Sequence, residues 1–198
     1  MAAGCDTAGT TEAHRVYTAN LTQRSHEIVA IAAAVAFKFL GAAACGGESL
    51  NDLPVGTGAA VSDASLFALS QPAASWTYYK RSATPIRRSS QPHPETHALV
   101  RYNVLAATQL DAAGKVRAGA SFPDSAIIVK ELSNGTTIMT YAVMMKVRGA
   151  GNAGLDGWVW AEFGPNGAVR YPANGRGAAC TSCHAPGIDY TRMNDSQP

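Results

Sequence analysis

From His97 onward the chain alternates apolar and polar positions with a period of two. Runs rich in Val, Ile, Thr, Tyr and Trp predict five strands. These are 98–105 (ALVRYNVL), 125–132 (SAIIVKEL), 136–147 (TTIMTYAVMMKV), 157–163 (GWVWAEF) and 168–171. Ser133-Asn134-Gly135 is a hairpin signal between the second and third, and Gly164-Pro165-Asn166-Gly167 is another between the fourth and fifth. Two hairpins in succession make an antiparallel sheet the economical arrangement. No helical heptads interrupt this half. Ahead of it, a short helix is expected around Asp63–Leu69, capped by Ser62 or Asp63. Trp76, Tyr78 and Tyr79 read as a weakly helical aromatic group packed at the domain edge, and 85–94, with three prolines, as a loop. Arg87 and Arg88 in that loop read as a solvated face. The expected fold class is mainly β (α+β), an antiparallel sheet with a few short helices.

The 198 residues are 46% hydrophobic and 15% charged, enough to build a core and unlike a disordered chain. A formal charge of +2 gives no case for a nucleic-acid partner.

The chemistry concentrates near the C-terminus, in Cys180-Thr181-Ser182-Cys183-His184. C-x-x-C-H is the attachment signature of a c-type haem. Two intervening residues set the thiols a porphyrin edge apart, and the adjacent His coordinates the iron. The competing readings are half a zinc site, which needs four ligands, and a redox C-x-x-C, which belongs after a strand in a βαβ unit. Neither context is present in the sequence. The expected cofactor is one covalent haem c, which packs against the sheet.

Covalent haem implies export. Ile28–Cys45, an apolar run behind Arg24 that ends in Ala42-Ala43-Ala44-Cys45, reads as a signal peptide with a lipoprotein-like cleavage box. Lys38 and the Ala content weigh against a permanent membrane span. Expected boundaries are 1–45 for the leader, 46–72 for a flexible tether and 73–198 for the haem domain. Localisation is then periplasmic or cell-envelope, with membrane contact only through a lipid on Cys45.

A C-terminal haem motif behind a β-rich body resembles the cytochrome P-460 and cytochrome c′-beta family. The match is carried by Trp76, Ala98-Leu99-Val100-Arg101, Phe122 to Leu132 (FPDSAIIVKEL), Trp158-Val159-Trp160, and Cys180 to His184 with Asp189-Tyr190. It covers about residues 73–192. The resemblance implies an iron held by His184 with its far side open to nitrogen oxides, and Lys130 at the position that cross-links to the haem edge. It also implies Arg101 as a distal hydrogen-bond donor, Phe122 as an aromatic restricting the distal pocket, and a homodimer. Glu131 alternates away from Lys130 and is set aside. Glu162 enters as a pocket carboxylate by type alone, Met193 as a packing residue, and His93 and His97 as poor iron ligands beside a loop.

Two departures stand out: Asp189-Tyr190-Thr191-Arg192 is shorter than the usual continuation, and 174–179 carries no carboxylate. The implied functions are oxidation of hydroxylamine towards nitrous oxide with a redox partner as electron acceptor, or non-catalytic binding of nitric oxide or carbon monoxide, or plain electron transfer. No general base is apparent from the sequence.

Overall fold

A computed structural model describes residues 58–88 and 92–193. The expected leader, its cleavage box and residues 46–57 of the expected tether lie outside the described residues. In chain order the elements are α1 (Asp63–Leu69), β1 (Thr77–Tyr78), β2 (Ile86–Arg87), β3 (His97–Tyr102), α2 (Val104–Ala107), β4 (Ile127–Asn134), β5 (Thr137–Lys146), β6 (Trp158–Phe163), β7 (Val169–Tyr171) and α3 (Thr181–His184). Short 3-10 turns fall at Tyr79–Arg81, Leu155–Gly157 and Ala173–Gly175. Strands β3 to β7 form one antiparallel meander, and β1 and β2 both pair with β3, at its opposite ends. The fold is therefore mainly antiparallel β with few short helices, as the period-two pattern predicts.

Three sequence boundaries shift for identifiable reasons. The strand expected to run to Leu105 stops at Tyr102, because Asn103 caps α2. Its Oδ1 accepts from the Ala106 amide at 2.9 Å and from the Ile127 amide at 3.0 Å. Within the Trp76–Tyr79 group, Thr77 and Tyr78 are extended and pair with β3, and Tyr79 opens the 3-10 turn. The tether expected to reach residue 72 gives way to packed structure well before that. Val61 and Leu66 are fully buried, and the Asn152 side-chain amide reads both backbone groups of Val61, at 2.9 and 2.8 Å. Ser62 Oγ caps α1 by accepting from the Ser65 amide. Burying a Leu side chain stabilises by about 1.5–3 kcal/mol, so α1 belongs to the domain.

Both faces of the sheet are covered. On one, Ile127, Val129, Tyr141, Val143, Met145, Val159, Ala161 and Phe163 pack under α1. Phe67 of α1 meets the Phe163 ring edge-on at 5.4 Å between centroids. On the other, Val100, Tyr102, Ile128, Met144, Trp158 and Trp160 pack against Phe122, Tyr79 and the C-terminal segment. Alternation along each strand produces this division, and cross-strand pairing propagates it. Val100, Lys130, Ala142, Glu162 and Tyr171 stand opposite one another in a single row across five strands.

Candidate functional site

That row forms the floor of a cavity of about 460 Å³ on the second face, within the range of small-molecule and cofactor sites. Lys130 and Glu162 flank Ala142 in the row, so strand spacing puts their backbones about 10 Å apart. The methyl of Ala142 leaves the space between them open. β3 adds Ala98, Val100 and Tyr102, β6 adds Trp160, and β7 adds Arg170 and Tyr171. Arg87, Arg88, Pro92 and His93 close one side. Cys180, Cys183, His184, Thr191, Arg192 and Met193 close the other.

The thiol-bearing segment is placed by local geometry. Gly177, at φ +71°, lets the chain pass against the Trp160 indole, where a Cβ would stand 2.4 Å from a ring carbon. The Cys180 amide then donates to Gly177 O at 2.8 Å, and α3 begins. It brings Cys180, Cys183 and His184 to one wall of the cavity. The His184 ring stands edge-on to Trp160 at 4.8 Å between centroids. Its Nδ1 lies 2.8 Å from Tyr190 O. An acceptor there requires Nδ1 to carry the proton, which leaves Nε2 with its lone pair. Burial, with Lys130 nearby, holds this imidazole neutral, down to about 4. Metal-binding histidines are oriented in the same way, through a second-nitrogen bond to a backbone carbonyl.

Burial pushes the Cys180 thiol up to about 11, opposite to the depressed values of reactive redox cysteines. Among the described residues no group of three or more His, Cys, Asp or Glu is arranged to hold a metal.

The rest of the lining combines cations with apolar surface. Arg87, Arg88, Lys130, Arg170 and Arg192 face one lining carboxylate, Glu162, among the described residues. Trp160 Nε1 and Tyr102 Oη, on side chains that line the cavity, are buried without a hydrogen-bond partner. Buried polar groups are normally satisfied, so two orphans in one wall point to a ligand that supplies polar atoms. Val100, Ile128 and Met144 provide the apolar surface.

Lys130 lines the cavity. Burial, with Arg88 and Arg192, lowers its amine to about 8. Glu162 also lines the cavity. Burial and Glu95 raise its carboxyl above the ordinary range, and its Oε1 is 3.7 Å from His93 Nε2.

Two expected site residues are elsewhere. Arg101 faces the other side of the sheet, where its Nε donates to Glu131 Oε1 at 2.8 Å, a second nitrogen donates to Ser70 O, and the guanidinium lies 4.8 Å from the Trp76 ring centroid. Pairing of Val100 with Lys130 forces this parity. Phe122 is fully buried in the core beneath the cavity, edge-on to Trp158 at 5.7 Å, and does not line the cavity.

Sequence reasoning passed over His93 and Arg88. Both line the cavity; Arg88 Nη1 donates to His93 O at 2.7 Å and to Glu95 O at 2.8 Å, which folds the loop inward. Nothing in a Pro- and Ser-rich stretch signals that reversal, although a His and two Arg beside it are the residue types that a cavity would recruit.

Comparison with known proteins finds no matching family model, no similar curated protein and no similar solved structure.

Proposed function

We propose that the cavity seats a covalently attached haem in an exported protein that oxidises hydroxylamine towards nitrous oxide. The observation that carries this reading is the His184 imidazole, tied through Nδ1 to Tyr190 O beside two thiols on a cavity wall. Cys180 and Cys183 would bear the thioether bonds and His184 would hold the iron. Arg87, Arg88, Arg170 and Arg192 would balance the haem carboxylates.

Bound there, the haem supplies an open coordination position and passes electrons to an external one-electron acceptor. The chain's own residues handle position and protons. Lys130, with an amine lowered to about 8, carries a neutral fraction at mildly alkaline pH and would be the residue for a cross-link to the haem edge, where an N–C bond replaces a ring C–H bond with loss of two protons and of two electrons to the external acceptor. Glu162, on the cavity floor, is the proton acceptor for hydroxylamine, and His93 Nε2 stands 3.7 Å from it. This assigns the general base that the sequence left open. Export, with a lipid on Cys45, completes the reading.

A second reading rests on Val100, Ile128 and Met144. This apolar wall favours an uncharged ligand such as nitric oxide or carbon monoxide, with no turnover.

Expression in a host that matures c-type cytochromes tests both. A haem-staining band on a denaturing gel, a red-shifted Soret band in the reduced protein and bleaching of a dye acceptor by hydroxylamine are expected. A colourless protein, or an iron with two protein ligands, overturns the haem reading. A haem peptide lacking Lys130, without turnover, selects the gas binder.

A further inference from the structure

The segment after the thiols, Gly187-Ile188-Asp189-Tyr190-Thr191, folds into a turn with an uncommon backbone. The Thr191 amide donates to Ile188 O at 2.8 Å. Asp189 has φ +45° and Tyr190 φ +63°, so both central residues occupy the left-handed region. A turn of this kind ordinarily takes Asn-Gly. Asp tolerates that region, but for a residue as bulky as Tyr it is a genuine outlier. Gly187 closes the turn, since a Cβ there would lie 2.0 Å from Thr191 O.

Such backbone persists only where surrounding bonds over-determine it, and here the Asp189 carboxylate makes those bonds. Its Oδ1 accepts from Lys146 Nζ at 2.7 Å and from Trp158 Nε1 at 3.1 Å, and its Oδ2 from the Phe122 amide at 2.7 Å. The three donors come from the end of β5, the start of β6 and the segment ahead of β4. Lys146 is itself buried and stands 4.8 Å from the Trp158 ring centroid. What this clamp fixes is the direction of the next carbonyl, Tyr190 O, which receives His184 Nδ1.

Building on the haem reading above, we propose that Asp189 is a positioning residue for His184. It holds the strained turn so that Tyr190 O sets the tautomer and basicity of the imidazole that faces the iron. Loss of such a supporting bond weakens a metal–histidine interaction by about 10–100-fold.

The test compares the full-length haem protein with D189N and with D189N/K146M. The double variant avoids leaving the buried Lys146 ammonium unpaired, which alone could prevent folding. In the folded variant the iron–histidine stretching band of the ferrous protein should move to lower frequency. The midpoint potential should rise, and nitric oxide should displace His184 at about 10–100-fold lower concentration. A folded haem variant in which none of the three moves overturns the proposal. If the wild type holds no haem, the haem reading fails, and the positioning role is read from the His184 tautomer by nitrogen NMR on the full chain. Nδ1-protonated imidazole in the wild type and a mixture in the variant support it; one unchanged tautomer in both overturns it.

Discussion

The two faces of the sheet handle the same residue types in opposite ways. Arg101 and Lys130 sit on adjacent paired strands, and Glu131 and Glu162 sit on β4 and β6 with β5 between them. On the face under α1, cation and carboxylate meet at 2.8 Å, with the side chains 0% and 10% exposed and the Trp76 ring centroid 4.8 Å from the guanidinium, whose Nη1 is buried without a partner. On the cavity face, five cations line a space with one carboxylate among the described residues, and two buried polar atoms have no partner. A closed ion pair is a structural element. The cavity wall carries an excess of cations among its described lining residues, of which Arg170 also stands 3.8 Å from Glu95, outside the lining. The comparison teaches that the position of a charge on the sheet, more than its type, decides whether it serves the fold or the site.

The largest effect should follow from removing the thiols. C180A/C183A is expected to abolish covalent haem entirely, read by haem staining after denaturing electrophoresis, while chemical denaturation of the face under α1 is unchanged. Haem staining that survives the double substitution would break the assignment of the cavity face.

The converse experiment targets the other face. Removing one partner of a buried ion pair costs about 3–5 kcal/mol, so E131Q should lower the urea midpoint sharply. The absorption spectrum of the folded fraction should match the wild type. A changed Soret band would return Arg101 to the distal pocket and collapse the distinction drawn here.

A smaller, purely spectroscopic effect is expected of Lys130. K130M removes an amine that burial already disfavours as a cation, so stability should hold or rise slightly. The red-shifted Soret band of the reduced protein should return to the ordinary position of a c-type haem. An unshifted band in the wild type and variant alike would leave Lys130 as a cavity-wall residue without a bond to the haem.

How far the sequence carried these assignments depended on whether the signal was local. Alternation along single strands and the residues of the two hairpins revealed the sheet, and the C-x-x-C-H spacing revealed the thiols and His184. Strand ends were less visible: Asn103 stops β3 through a cap whose partners, Ala106 and Ile127, include one on another strand. The misplacement of Arg101 has the same origin. Alternation within β4 correctly separates Glu131 from Lys130, but the relation of β3 to β4 needs the register. Only the pairing of Val100 with Lys130 sends Arg101 to the far face. His93 and Arg88 reach the cavity through hydrogen bonds within a loop, and the Tyr190 carbonyl that orients His184 belongs to the backbone. No side-chain pattern encodes either.

The gentlest probe of the cavity face is pH. Burial, with Lys130 and Arg88 nearby, lowers the His93 imidazole to about 4, below its unfolded value of about 6.5. Between those values the unfolded chain binds more protons than the folded one, so unfolding free energy falls as pH falls through that window. Above it both states are neutral and the residue contributes no pH dependence; below it both are protonated and the loss is complete. H93Q should therefore flatten the stability profile between about pH 6.5 and pH 4, measured by urea denaturation of the unloaded chain at a series of pH values. The residual slope should include His184, whose imidazole is lowered for the same dominant reason, burial, and Glu162, whose carboxyl is raised by burial and therefore contributes with the opposite sign. A profile identical to the wild type would mean that His93 titrates as an exposed residue, and that the loop does not close the cavity beside Glu162. The Arg101–Glu131 pair offers the contrast within the same titration. E131Q should lower stability throughout this pH range, because its effect comes from losing a bond and not from gaining a proton.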